Sequence, residues 1–253
     1  MNILNNIIVT SANSVYFDSL LTLINSIHKH NLNVVDQIFV YNLGFDKLEI
    51  NKLVSMKNVT VLEFSEEAKS SHTKFMEPKS YVYKTYCLYQ GKNYGRNVLW
   101  VDAGAMFLDS CQAIFDKINS QDIFLVKDTH ININYTHTNC RNIMKATDKE
   151  LKDCQLWAGL IGYKKNGIFE QMIDDAYKYS IIPGCLDGNE ENHRHDQSIM
   201  SILASRYNCP TNNIDIYGYW TDVDRNLETA KKIGSIVFAH RRGHIDHRDI
   251  IYV

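Results

Sequence analysis

An α/β fold built on a mostly parallel central sheet is predicted by three features of the sequence. Short apolar runs alternate with longer amphipathic segments, the first elements follow a βαβαβ order, and no repeat or low-complexity linker interrupts the 253 residues. That length suits one domain over 1–253, large enough to bury a core without staples.

The elements follow from apolar spacing. Residues 7–10 read as a buried strand. From Tyr16 to His30 the apolar residues Phe17, Leu20, Leu21, Ile24 and Ile27 recur at helical spacing. DQIFVYNLG is a second strand ending at Gly44, LEINKLVSM a short helix and NVTVLEF a third strand. A helix over 80–90 precedes the strand NVLWVD, and AMFLDS looks like that strand continued. QLWAGLIGYKK and IVFAH are further strands, and the residues after Gln197 have helical spacing. The loops 129–153 and 183–195 carry no regular pattern and are expected to shape a specificity side.

Composition narrows the function. Hydrophobic residues make up 45% and charged ones 22%, an ordinary globular balance, and the net charge of -2 gives no general attraction to nucleic acid or anionic lipid. Any bound anion must be held by local groups. The six cysteines form no C-x-x-C pair, so buried free thiols in a reducing, cytoplasmic compartment are expected. MNILNNIIVTSAN has no basic n-region, and its apolar run is too short for a signal peptide or a membrane span.

One carboxylate stands out. In NVLWVDAGAMFLDS an apolar run stops at Asp102 and resumes after Ala103 and Gly104. An acid there can cap a following turn. The carboxyl end of a parallel strand is also where α/β sheets bind ligands, and the small residues leave room for close approach.

Six segments, in order, resemble the GT-A nucleotide-sugar glycosyltransferases, most nearly glycosyltransferase family 8, which includes glycogenin-like and bacterial galactosyltransferase enzymes. They are VTSANSVYFDSLLTLINSIHKHN with YVYKTYCL, then VDAGA, QLWAGLIGYKK, NHRHDQSIMSILA and IVFAHRRGHIDH. The resemblance implies a single GT-A domain, the Rossmann-like nucleotide-diphospho-sugar transferase fold. It also implies transfer of a sugar from a nucleotide-diphosphate donor, with a UDP-sugar favoured, to an acceptor hydroxyl on a glycan, protein or lipid.

By that likeness Thr10, Ser11 and Asn13 contact base or ribose and Tyr16 lies on the uracil face, although Asn13 is equally suited to cap a helix. Lys84, with Lys79 as rival, reaches the diphosphate. VDAGA takes the place of the family's DxD motif, with Gly104 where the second acid belongs. The resemblance implies manganese or magnesium held by Asp102 and His240, with one hard oxygen ligand missing. Trp157, Ala158 and Gly159 match the N-A-G strand beside the donor sugar, with Trp157 in place of Asn. Asp196 and Gln197 match the segment nearest the anomeric carbon and are the catalytic candidates. Gly243 matches the C-terminal H-x-x-G, and Arg241, Arg242 or Arg248 supplies the charge of the family's lysine. Retention or inversion of the anomeric centre is left open.

Other readings compete. The missing acid suits a nucleotide-sugar-binding protein without catalysis. Asp222 and Asp224 form a literal DxD but follow no buried strand. His193, His195 and Asp196 approach the spacing of binuclear zinc hydrolases without matching it. A sugar nucleotidyltransferase would need a Gly- and Arg-rich first loop, which TSANSVY is not.

Overall fold

In the computed structural model residues 3–189, 191–217 and 227–253 are described. Asp222 and Asp224 lie outside them. In chain order the strands and helices are β1 (Leu4–Ala12), α1 (Phe17–His30), β2 (Gln37–Asn42), α2 (Lys47–Val54), β3 (Val59–Leu62), α3 (Glu66–Ser70), α4 (Val82–Gly91) and β4 (Gly95–Val101). They continue with β5 (Ala105–Phe107), α5 (Gln112–Gln121), β6 (Ile123–Ile131), α6 (Thr138–Met144), α7 (Asp148–Lys152), β7 (Cys154–Lys164) and α8 (Glu170–Ser180). The last are α9 (Asp196–Arg206), β8 (Asn212–Asn213), α10 (Ile214–Tyr217), α11 (Leu227–Lys232) and β9 (Val237–Ala239).

The central sheet has the order β3-β2-β1-β4-β7-β6-β8. β3, β2, β1 and β4 are mutually parallel. β7 runs antiparallel to both β4 and β6, and β8 is parallel to β6, so β7 alone opposes the common direction. The mostly parallel sheet is as expected.

Both faces of this sheet are covered, which is why its strands read as near-continuous apolar runs. Successive residues alternate between two cores. Ile7, Val9, Val98 and Trp100 pack with α4, α8 and α9 on one face. Ile8, Leu99 and Val101 pack with α1, α2 and α5 on the other. Each such side chain, fully removed from water, contributes roughly 1.5–3 kcal/mol. Local signals set the connections: Asp46 and Glu49 close a capping box on α2, and Thr147 and Glu150 close one on α7.

Two expectations need correction. AMFLDS does not continue β4: the chain turns at 102–104, and β5 pairs antiparallel with β9 in a separate two-stranded sheet, Ala105 opposite Ala239. The segment 129–153 is not a patternless loop. It holds the end of β6, a 3-10 turn at Asn132–Tyr135, α6 and α7, elements too short for periodicity to reveal. Among the described residues no helix is long and apolar enough to cross a membrane.

Candidate functional site

β1 and β4 are neighbours, so their carboxyl ends bring residues 10–13 and Asp102 to one edge of the sheet. Thr10 and Ser11 are buried there, and the hydroxyls of both, with the Asn13 amide oxygen, have no hydrogen-bond partner. A buried polar group left unpaired costs about 1–3 kcal/mol, so each of the three is open to a polar ligand, Thr10 and Ser11 from opposite faces of β1. Asn13 makes no side-chain cap, which removes its structural alternative. Tyr16, 40% exposed, presents its ring to the Arg242 guanidinium 5.7 Å from its centroid.

Lys84 is the centre of the charged part. It projects from α4 with a side chain only 4% exposed, and its ammonium lies 3.0 Å from Asp102 Oδ1 and 3.2 Å from Asp196 Oδ2. The Trp100 indole N–H donates to the same Asp102 oxygen at 2.7 Å, and the ammonium stands 5.4 Å from the Trp100 ring. Burial acts to discharge the lysine, but the two carboxylates overcome it and its pKa is raised. For Asp196 burial dominates: its pKa is raised, helped by repulsion from Asp102 and opposed by Lys84. The rival Lys79 is exposed.

Asp196 opens α9, and its carboxylate is turned to Lys84. Gln197 donates from its amide to Gln155 Oε1 at 2.9 Å, and Gln155 is fully buried in β7. The Asp102 N–H donates to the Gly159 carbonyl at 3.0 Å. A Cβ on Gly159 would stand 3.2 Å from Asp102 Oδ2 and 3.1 Å from the Trp157 ring, so only glycine keeps this corner open beside the indole. Ala158 belongs to the core cluster of the other face, as strand alternation dictates.

β9 delivers the C-terminal residues. The Arg241 N–H donates to the Gly104 carbonyl at 2.7 Å, and a Cβ at Gly104 would fall 2.8 Å from the Arg241 Cα. Position 104 is glycine because another backbone lies on it. His240 is buried, and neither ring nitrogen has a hydrogen-bond partner. Burial and the neighbouring His244 lower its pKa to about 4, with the Ala105 backbone acting the other way, so the ring is neutral near pH 7. The Gly243 N–H closes a tight turn on the His240 carbonyl at 2.8 Å. Arg248 is not at this site; Asp246 holds it at 2.8 Å beside α1, where the Asp246 N–H bonds Thr22. Nor do His193 and His195 form a metal pair: His193 uses one ring nitrogen on the His137 N–H and the other on the Cys185 carbonyl.

Three non-glycine residues at the rim have positive φ, namely Tyr81 (58°), His195 (47°) and Arg241 (55°). They directly precede α4 and α9 and follow His240, and backbone strain of this kind gathers at functional sites. Tyr81 and His195 also stack, with ring centroids 5.8 Å apart.

Solved structures with the same arrangement of elements include the apo WbbM bifunctional glycosyltransferase, at 14% identity and a TM-score of 0.61. This is the GT-A glycosyltransferase fold. The match covers 97% of this chain and 47% of WbbM, so the chain spans about half the length of that protein. Galactosyltransferase LgtC, solved with donor and acceptor sugar analogs, shares the GT-A fold with this chain at 12% identity and a TM-score of 0.53, covering 91% of this chain and 85% of LgtC. An active-site mutant of LgtC gives 11%, 0.51 and the same coverage. No protein-family model and no curated protein matches the sequence.

Trp100 and Gln155 were not expected at this site. Trp100 sits in an apolar run and reads as core; its pairing two residues on with Asp102 is a same-face signal on a strand that spacing could have revealed.

Proposed function

We propose that this chain is a glycosyltransferase that moves a sugar from a UDP-sugar to an acceptor hydroxyl on a glycan, protein or lipid, in the cytoplasm. The observation that carries the reading is Lys84, buried between Asp102 and Asp196 at the edge to which the carboxyl ends of β1 and β4 also bring residues 10–13.

The transfer breaks the bond between the anomeric carbon and the diphosphate oxygen and forms one to the acceptor oxygen. Negative charge grows on the departing diphosphate, and Lys84 and Arg241 meet it with positive charge already in place. Asp196 and Gln197 face the electron-poor anomeric carbon, and the amide oxygen of Gln197 is the free end because its NH2 is spent on Gln155. Tyr16 stacks on the base, while Thr10, Ser11 and Asn13 bind base or ribose. Trp157 offers the sugar a flat apolar face where the family has an amide.

Among the described residues no group of three or more His, Cys, Asp or Glu could hold a metal. The residues fit a shared site instead. A manganese or magnesium ion would be held by Asp102, His240 and the donor's own phosphate oxygens, and would draw charge from the leaving group. His240 is suited to this because it is neutral and its ring nitrogens are unpaired.

Incubation with a panel of nucleotide sugars, following free nucleoside diphosphate, tests the proposal; release from one donor is expected, and none from any would favour the second reading. That reading, a nucleotide-sugar-binding protein without catalysis, is favoured by Gly104 alone. Calorimetry with UDP separates both from an unrelated role, since both require binding.

A further inference from the structure

Cys140 on α6 and Cys185 in the loop before α9 are both fully buried, and their sulfurs are 3.7 Å apart. Among the described residues no other two cysteines have sulfurs in contact. Both thiols are free in this structure. The other four lie apart: Cys87 in α4, Cys111 before α5, Cys154 at the start of β7, and Cys209, whose thiol points to the Met172 sulfur at 3.3 Å.

We propose that Cys140 and Cys185 are a disulfide site, open as two thiols in a reducing cytoplasm and closed when a small-molecule disulfide such as oxidised glutathione accumulates. A disulfide needs sulfurs at about 2.05 Å, so they must approach by about 1.6 Å, a distance that side-chain rotation and small shifts of a loop can supply. Cys185 is in a turn rather than in a helix or strand, so no helical or sheet ladder has to break for its sulfur to shift. The exchange is balanced. One thiolate attacks the oxidant and displaces a reduced glutathione; the second thiolate attacks the mixed disulfide and displaces the other. Two protein thiols become one disulfide, and one oxidised glutathione becomes two reduced ones. Because the thiols are buried, the reaction runs during folding or local opening.

The site is also the place where a bond would matter. His193 already ties the same two segments together, one ring nitrogen to the N–H of His137 at the start of α6 and the other to the carbonyl of Cys185. His193 stands three residues before Asp196, so a covalent link fixes the loop that leads into the candidate catalytic acid. The cross-linked residues are 45 apart in sequence and enclose β7 and α8, so the unfolded chain loses substantial loop entropy. This inference rests on the two sulfurs and not on the sugar-transfer reading.

The test uses the full chain. It is held in oxidised and in reduced glutathione, both as folded protein and during refolding from denaturant, then alkylated under denaturing conditions and mapped without reduction. The expected product has four alkylated thiols, a mass lower by two hydrogens before alkylation, and one linked peptide pair carrying Cys140 and Cys185. Its Tm should exceed that of the reduced chain by about 5–10 °C, a gain absent from Cys185→Ser and from Cys140→Ala. Six alkylated thiols after refolding in oxidised glutathione, or a link through any other cysteine, would overturn the proposal. The refolding arm removes the access barrier, so failure there cannot be blamed on burial.

Discussion

The backbone of Arg241 occupies the space that a side chain at Gly104 would need, with the Arg241 Cα 2.8 Å and its carbonyl oxygen 2.9 Å from the position of a Cβ. The missing second acid of the motif is therefore a packing requirement of the β5 and β9 sheet. A Gly104→Asp variant should not tighten manganese binding. It should instead push β9 away, lower the Tm by several degrees and weaken UDP binding, all readable by calorimetry with and without the metal.

Lys84 offsets two acids at once. Replacing it with Ala leaves the buried Asp196 without its counter-charge, while Asp102, whose side chain is 47% exposed, loses a solvent-screened partner, so the cost should fall at or below the low end of a buried pair, about 3 kcal/mol. Chemical denaturation should show that loss, and titration with UDP should show binding at least tenfold weaker. Equal stability would mean the ammonium is not the partner of both acids.

Asp196→Asn makes a different forecast. Burial already disfavours the charged carboxylate, so a neutral amide of the same shape should change stability by less than about 1 kcal/mol. Transfer, or donor hydrolysis, should fall at least ~100-fold. Near wild-type turnover would remove Asp196 from the chemistry.

Stability should depend on pH through His193. Burial, with His195 and His137 nearby, lowers its pKa from 6.5 to about 4. Between those values the unfolded chain binds the extra proton, so stability is complete above about pH 6.5 and falls as the pH drops towards 4. The loss is on the order of 2–3 kcal/mol, and a Tm series from pH 7 to pH 4.5 should reveal it. His240, lowered by burial to about the same value, adds a second contribution of the same sign, so His193→Gln should remove about half of that slope.

How much of this was legible in the sequence depends on how far each feature reaches along the chain. Asp102, Lys84 and Asp196 lie on separate segments, and each was accessible because its own neighbours resemble a motif. That one ammonium holds both acids needs α4, β4 and α9 to be placed together. The parallel sheet was readable from apolar runs, whereas β5 was mistaken for more of β4 because its partner β9 lies far along the chain. Gln155 looks like any strand residue until its oxygen meets Gln197. Arg248, close to the C-terminal motif in sequence, is paired with Asp246 on the surface, a local contact that motif likeness does not register.

The pairing of β5 with β9 also imposes an order in time. During synthesis the ribosome releases β1, β4 and β5, and with them Asp102, long before it reaches β9 and His240. Until then β5 has an open edge, and the turn at 102–104 lacks the backbone that presses on Gly104. The central sheet can form while translation continues, but the corner at Gly104 is finished only when the last strand arrives. A nascent chain stalled before Val237 should therefore be folded in its core yet unable to retain UDP.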